Sequence, residues 1–163
     1  MIKLLLASMV QASTYDRLSF DKRITWTNLH PTHVVICNDS GVSKKDVKHA
    51  IKFWTNFYDD YIDTVVVNSK CNNLDLFESD KIVITKRRNF SEHDYYAVTF
   101  FSFNETDFLQ EISAARIEIN PTYSNNTSLL IHELGHCIGI THNISDNTHI
   151  MHEHVVDNTV RTR

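Results

Sequence analysis

Residues 127–142 read TSLLIHELGHCIGITH, and this stretch predicts both a helix and the place where it ends. Its apolar residues recur at helical spacing and are Leu129, Leu130, Ile131, Leu134, Cys137 and Ile138. Thr127 is a common helix-capping residue, and Gly139 can adopt the left-handed conformation that ends helices. The sequence therefore predicts a helix over 127–138 that ends in a turn at Gly139.

Three histidines fall within the same stretch. His132 and His136 are four residues apart, so they lie on one helix face and can direct imidazole nitrogens at one zinc ion. The turn at Gly139 would bring His142 back to the same ion as a third ligand. Three histidines leave the fourth tetrahedral position to water, which is typical of a catalytic site rather than a structural one. The expected cofactor is therefore Zn2+.

Glu133 follows the first of these histidines and is the candidate catalytic residue. A carboxylate beside a zinc-activated water can act as a general base and then pass the proton to a leaving amine. The pattern His, Glu, His, Gly, His at these spacings arises by chance in about 3 of 100,000 chains of this composition. We therefore expect a zinc-dependent endopeptidase that hydrolyses peptide bonds in protein substrates.

The first half of the chain predicts a strand followed by a helix. A β-rich run at 33–37 precedes the turn residues 38–41, and Ser43 with Asp46 forms a capping pair. Apolar residues at three- and four-residue spacings then predict one amphipathic helix over 43–58. Trp54 lies in its apolar stripe, so we expect it to be buried against the second helix and the sheet. The acidic and aromatic residues 57–61 are interpreted as a solvated helix end.

Further β-rich runs follow at residues 62–67, 81–85, 95–103 and 115–119. The run 95–103 is aromatic on both faces, which is typical of a plain buried strand. No repeat, proline-rich linker or charge block divides the chain, so residues 1–163 are interpreted as one catalytic domain. Within it, residues 1–13 are either a short signal segment or an extra N-terminal strand.

The composition disfavours several classes of partner. A net charge of -4 argues against nucleic acid, because phosphate binding needs a basic face. No stretch reaches the roughly 18 apolar residues of a transmembrane helix. Three cysteines allow at most one disulfide, and Cys137 is expected to be a buried, inert thiol. The expected partner is a protein or peptide substrate, and the oligomeric state does not follow from the sequence.

Residues 132–142 resemble the metzincin signature HExxHxxGxxH, and Met151 resembles the methionine of the Met-turn that follows it. The layout of residues 33–151 is most similar to the matrixin-like branch. The resemblance implies an α+β fold: a twisted, mainly parallel sheet of about five strands with one antiparallel edge strand, packed on two long helices, with a short C-terminal tail. It also implies that Met151 forms a hydrophobic base below the metal, and that 95–103 is the edge strand beside the substrate cleft.

Departures from the family pattern leave alternatives open. His152 and Glu153 follow Met151 where matrixins have Tyr-Pro, which alters the wall of the expected substrate pocket. His149, His152 and His154 either face solvent or form a second metal site near the first. The rival function is a zinc-binding module of metzincin fold that serves binding or assembly with little proteolysis. A secreted protein, or a component of a larger particle, is favoured over a resident cytoplasmic enzyme.

Overall fold

The computed structural model describes residues 25–27, 30–71, 78–87, 96–105, 110–143 and 149–152. Its strands are β1 (His33–Cys37), β2 (Val65–Ser69), β3 (Lys81–Lys86), β4 (Ala97–Glu105) and β5 (Gln110–Ile119). Its helices are α1 (Lys44–Thr55) and α2 (Thr127–Cys137), and short 3-10 turns lie at Asp59–Tyr61 and Pro121–Tyr123. The predictions for residues 1–13, Glu153 and His154 lie outside the described residues.

The five strands form one sheet in the order β2-β1-β3-β5-β4. The pairs β1 with β2, β1 with β3, and β3 with β5 are parallel, whereas β4 is antiparallel to β5. Because β4 pairs with β5 alone among the described strands, it lies at the edge of the sheet. The predicted α+β fold with a mainly parallel sheet and one antiparallel edge strand is confirmed.

One face of the sheet is buried beneath the two helices. Alternate residues of a strand point to the same face, and these alternate residues are fully or almost fully buried. They are Val34, Ile36, Ile82, Ile84, Ala115, Ile117 and Ile119. The same hydrophobic core contains Val47, Ala50 and Trp54 of α1 together with Leu130 and Leu134 of α2. Sheet and helices therefore share one core.

The start of α1 agrees with the predicted cap, and the start of α2 differs by one residue. The Ser43 side chain accepts a hydrogen bond from the backbone N–H of Asp46, as the capping pair requires. In α2 the cap is Asn126, whose side-chain oxygen accepts from the N–H of Leu129. The prediction of Thr127 as cap was wrong, because Asn126 is an equally good capping residue and lies one position earlier.

Trp54 joins the two helices. Its side chain is only 4% exposed, and its indole Nε1 donates a 2.7 Å hydrogen bond to the carbonyl oxygen of Ile131 in α2. The predicted burial of Trp54 against the second helix is confirmed. The helix α1 ends at Thr55, earlier than predicted. Beyond it, the interpretation of 57–61 as a solvated helix end was wrong for Asp60 and Tyr61, which are buried.

A disulfide joins Cys37 at the end of β1 to Cys71, which follows β2. The two residues are 34 positions apart, so the closed loop contains α1 and β2. Restricting a loop of this length in the unfolded chain stabilises a fold by roughly 3 to 4 kcal/mol. Cys137 is the free, buried cysteine, and burial raises the pKa of its thiol well above the usual value. Its predicted burial is confirmed.

Candidate metal centre

The end of α2 directs the chain back toward the helix. Gly139 adopts a left-handed conformation with a φ of 83°, which residues with a side chain rarely adopt. The N–H of Gly139 donates to the carbonyl of His136 at 2.8 Å, and the N–H of Ile140 donates to that of Gly135 at 3.1 Å. These two bonds form a Schellman motif, which reverses the chain and places His142 beside the helix.

Two aromatic side chains from distant parts of the chain bind the remaining carbonyls at this helix end. The hydroxyl of Tyr61 donates to the carbonyl of Leu134, and Nε1 of Trp26 donates to that of Cys137, both at 2.7 Å. With the Schellman bonds, all four terminal carbonyls of α2 have a donor, although they lack partners within the helix. The helix end that carries His136 is therefore fixed by side chains as well as by backbone.

Three histidine nitrogens meet next to this helix end. The Nε2 atom of His132 lies 3.0 Å from Nε2 of His136 and 3.1 Å from Nε2 of His142, and the third separation is also 3.1 Å. His132 is buried, and the other two are half-buried. Among the described residues, these three form the one group of potential ligands close enough to hold a metal ion.

Backbone carbonyls determine which ring nitrogen of two histidines carries the proton. Nδ1 of His132 lies 2.8 Å from the carbonyl oxygen of Ile150, and Nδ1 of His136 lies 2.8 Å from that of Ile140. A carbonyl oxygen only accepts hydrogen bonds, so each Nδ1 carries the proton and each Nε2 presents a lone pair. Lone pairs directed at one point repel each other unless a cation lies between them. The tautomers therefore match a cation site.

Burial keeps these histidines neutral. Desolvation lowers the pKa of His132 to about 4. The hydrogen bond to the Ile150 carbonyl acts in the other direction and raises this pKa, but by less. Desolvation and the neighbouring histidines lower the pKa of His136 well below its usual value. A metal ion binds only the neutral imidazole, so both ligands are ready for a metal at neutral pH.

Glu133 follows the candidate ligand His132 in α2 and contacts the edge strand. Its side chain is 5% exposed, and Oε2 accepts a 2.6 Å hydrogen bond from the hydroxyl of Thr99 in β4. Desolvation raises the pKa of the carboxyl to about 7, while the Thr99 bond opposes that shift. Sequence reasoning missed Thr99, since a threonine in a strand carries no local signal of a contact 34 positions away.

Met151 packs against α2 immediately beside the cluster. It is fully buried, and the N–H of Asn143 donates to its carbonyl at 3.0 Å. A Cβ atom added to Gly135 would lie 2.5 Å from the Met151 sulfur and 2.5 Å from Cζ2 of Trp54. Met151 therefore lies against the helix at the residue before His136, and only glycine leaves room for that approach.

The substitution Gly135→Ala tests this packing. Intrinsic helix propensity favours alanine over glycine by about 1 kcal/mol. The close contacts of Met151 and Trp54 instead predict that alanine lowers the stability of the protein, because overpacking a core typically costs about 1 to 3 kcal/mol. We expect urea unfolding to show a lower stability for Gly135→Ala, with weaker metal binding. The control is Lys48→Ala on the exposed face of α1. A Gly135→Ala protein more stable than its parent would contradict the packing.

The histidines around Met151 differ from the three in the cluster. Nδ1 of His149 accepts a 3.1 Å hydrogen bond from the N–H of Met151, so its neutral ring carries the proton on Nε2. That tautomer is opposite to the tautomer of His132 and His136. No group of potential ligands among the described residues includes His149 or His152. The described part of the chain therefore contains no second group of three or more closely spaced ligand residues, and His154 lies outside it.

Comparisons of the sequence with protein-family models and with curated proteins found no match. The fold and the histidine cluster therefore carry the functional argument alone. Over the ranges that the structure describes, no helix combines the length and apolar character needed to cross a bilayer.

The pKa shifts predict how the stability of the chelator-treated protein depends on pH. His132 and His136 bind protons in the unfolded chain below about pH 6.5 but remain neutral in the folded protein. Stability should therefore fall as pH decreases from 6.5 toward 4. Glu133 opposes this trend, because its folded carboxyl keeps a proton up to about pH 7 that the unfolded chain releases above 4.5.

The variant Glu133→Gln separates the two contributions. It removes the opposing carboxylate, so it should stabilise the chelator-treated protein by roughly 3 kcal/mol near pH 8 and by little near pH 4.5. Denaturant unfolding at both pH values, with chelator present, measures the difference. An equal effect of the substitution at both pH values would show that Glu133 titrates normally.

Proposed function

We propose that this chain is a zinc-dependent endopeptidase of the metzincin type, in which His132, His136 and His142 hold the metal and Glu133 acts as general base. The observation that carries the proposal is the convergence of three Nε2 atoms within 3.1 Å of one another, with a buried carboxylate on the adjacent residue. The substrate class is an extended segment of a protein.

The three nitrogens fit zinc in both chemistry and spacing. Zinc binds imidazole nitrogen at about 2.0 to 2.1 Å, so neighbouring ligands of a tetrahedral site lie about 3.3 to 3.4 Å apart. The observed separations of 3.0 to 3.1 Å are within about 0.3 Å of that value. Imidazole is a preferred zinc ligand, and three of them are the ligand number of a catalytic site. When bound, zinc would supply a Lewis acid for the scissile carbonyl and lower the pKa of a water molecule.

Glu133 would accept and then donate the proton that is transferred in the reaction. In the metal-free protein, burial raises the pKa of the Glu133 carboxyl to about 7, so this side chain can both accept and release a proton near neutral pH. The carboxylate would accept a proton from the attacking water and deliver it to the leaving amine. Because its own helix also carries His132 and His136, the base and two ligands keep a fixed relation to one another.

The edge strand β4 would align the substrate. Edge strands present backbone N–H and carbonyl groups that an extended peptide can pair with. Within the described residues, β4 has one paired side, toward β5, and it contributes Thr99 to the Glu133 contact. A peptide lying along β4 would thus pass close to the proposed base.

The metzincin assignment rests on the order and placement of parts. It is supported by the mixed sheet, the helix with two histidines, the turn at Gly139 and the buried Met151, which are the features that the sequence resemblance leads us to expect. His152 departs from it at the residue after Met151, and this affects the substrate pocket rather than the metal ligands. The disulfide between Cys37 and Cys71 favours a secreted protein or a particle component, since such bonds persist in oxidising compartments.

The rival proposal is a zinc-binding module for binding or assembly. It is favoured by the altered residue after Met151 and by the deep burial of Glu133, which limits contact with a substrate. The two proposals share the metal and differ in turnover. A module of this kind would retain zinc but would release no peptide fragments.

The deciding experiment incubates the purified protein with a peptide library and identifies fragments by mass spectrometry. Parallel samples contain a zinc chelator, or chelator followed by excess zinc, and metal content is measured on each. The endopeptidase proposal expects internal cleavage that chelation abolishes and zinc restores. Stoichiometric zinc without cleavage would support the rival, and a protein that binds no zinc would contradict both.

A further inference from the structure

We propose that Thr99 is a positioning residue that orients the Glu133 carboxylate for proton transfer, an inference that rests on the proposed endopeptidase function. Thr99 is itself nearly buried, and its hydroxyl lies 2.6 Å from Oε2 of Glu133. The two residues belong to different elements, the edge strand β4 and the helix α2. Their bond therefore couples the orientation of the base to the strand that would align the substrate.

The location of Thr99 explains why it can reach the helix. In β4 it lies opposite Ile117 of β5, and Ile117 is fully buried on the face that packs against the helices. Residues paired across a sheet point to the same face, so the Thr99 side chain also points toward α2. Its hydroxyl lies 3.4 Å from the Glu133 backbone carbonyl, a weaker contact than the one to the carboxylate.

When Glu133 is ionised and can act as a base, its hydrogen bond with Thr99 has one direction. An ionised carboxylate accepts and never donates, so the single hydroxyl proton of Thr99 is given to Oε2. Thr99 is the one side chain among the described residues with a hydrogen bond to this carboxylate. With Oε2 held, the carboxylate loses rotational freedom and Oε1 remains to receive the proton. Such orientation accelerates a reaction without changing which groups react.

The main test compares three variants by steady-state kinetics. Thr99→Val removes the hydroxyl at nearly constant shape, and Thr99→Ser keeps it. The matched control is Thr85→Val, since Thr85 is a similarly buried threonine of β3. We expect Thr99→Val to lower kcat by about 10- to 100-fold, as for loss of a hydrogen bond to a charged group. KM, zinc content and melting temperature in zinc should change little.

The conservative variant and the control distinguish positioning from a structural role. Thr99→Ser should recover most of the parental kcat, and Thr85→Val should match the parent throughout. Should Thr99→Val be insoluble, Thr99→Ala provides the same loss of hydroxyl with no added methyl group. A parental kcat in a variant without the hydroxyl would overturn the inference. So would a loss of zinc in Thr99→Val, or a Thr99→Ser variant as slow as Thr99→Val.

Glu133→Gln, measured alongside, separates this inference from the proposed function. If Glu133→Gln is nearly inactive while Thr99→Val is as fast as the parent, the endopeptidase mechanism stands and the role of Thr99 is wrong. If Glu133→Gln is as active as the parent, the proposed base is wrong and the inference is overturned with it.

Discussion

Replacing Glu133 by glutamine is expected to lower kcat by about 100- to 10,000-fold, the usual contribution of a positioned acid or base. The change is nearly isosteric and removes the proton acceptor. It leaves the three Nε2 atoms of His132, His136 and His142 in place, together with the carbonyl bonds that orient His132 and His136. Zinc content, and the melting temperature in zinc measured at or below pH 7, should therefore stay close to the parent's. Peptide cleavage followed under saturating substrate measures the rate.

A second glutamate provides the matched control. Glu118 of β5 pairs with Arg116 at 3.0 Å and is not part of the metal cluster. Glu118→Gln should thus retain parental kcat after the same purification and zinc loading. If Glu133→Gln keeps near-parental activity with zinc bound, Glu133 is not the base, even if the metal site is correct.

The parts of the site that could be predicted from sequence depend on local geometry. The helix phase of His132 and His136 follows from a four-residue spacing, and the turn at Gly139 follows from the freedom of glycine to adopt positive φ. The structure places all three Nε2 atoms together and gives Gly139 its left-handed conformation. Such features need only neighbours along the chain, which a single sequence displays directly.

The parts that escaped prediction depend on contacts between distant residues. Trp26 and Tyr61 bind carbonyls at the end of α2 from 111 and 73 positions away, and Thr99 binds the Glu133 side chain from 34. None of these residue types has a spacing rule that points to a partner. The acidic neighbours of Tyr61 predict exposure, yet the folded chain buries this side chain. Each of the three side chains donates a hydrogen bond to a carbonyl or carboxylate of α2. Buried polar groups need such partners, but only the folded structure shows which residue provides each one.

The bounds of β5 also depend partly on local sequence and partly on contacts with distant residues. The predicted run 115–119 is the part of β5 that pairs in parallel with β3, and it includes the buried Ile117 and Ile119. The strand begins earlier, at Gln110, because residues 110–114, which do not form a β-rich run, also pair antiparallel with β4. The register of that pairing shifts between Ser102 and Phe103. Polar residues gain a ladder partner there that their own sequence does not indicate.

Removing a ligand should have an effect different from that of removing the base. In His142→Ala the two helix histidines remain, but the third Nε2, 3.1 Å from each of them, is lost. We expect zinc affinity to fall by about 100-fold, which at a fixed free zinc concentration lowers stability by up to about 2.7 kcal/mol. Activity should fall in proportion to the metal lost, and a chelator should lower the melting temperature less than it does in the parent.

His149→Ala is the control for His142→Ala, since His149 bonds the N–H of Met151 and is outside the group of potential ligands. It should retain zinc and respond to a chelator as the parent does. The two ligand experiments then separate coordination from chemistry: Glu133→Gln keeps zinc and loses turnover, whereas His142→Ala loses both. A His142→Ala protein with parental zinc affinity would show that His132 and His136 bind the metal with some other third group. The turn at Gly139 would then contribute to the fold and not to metal binding.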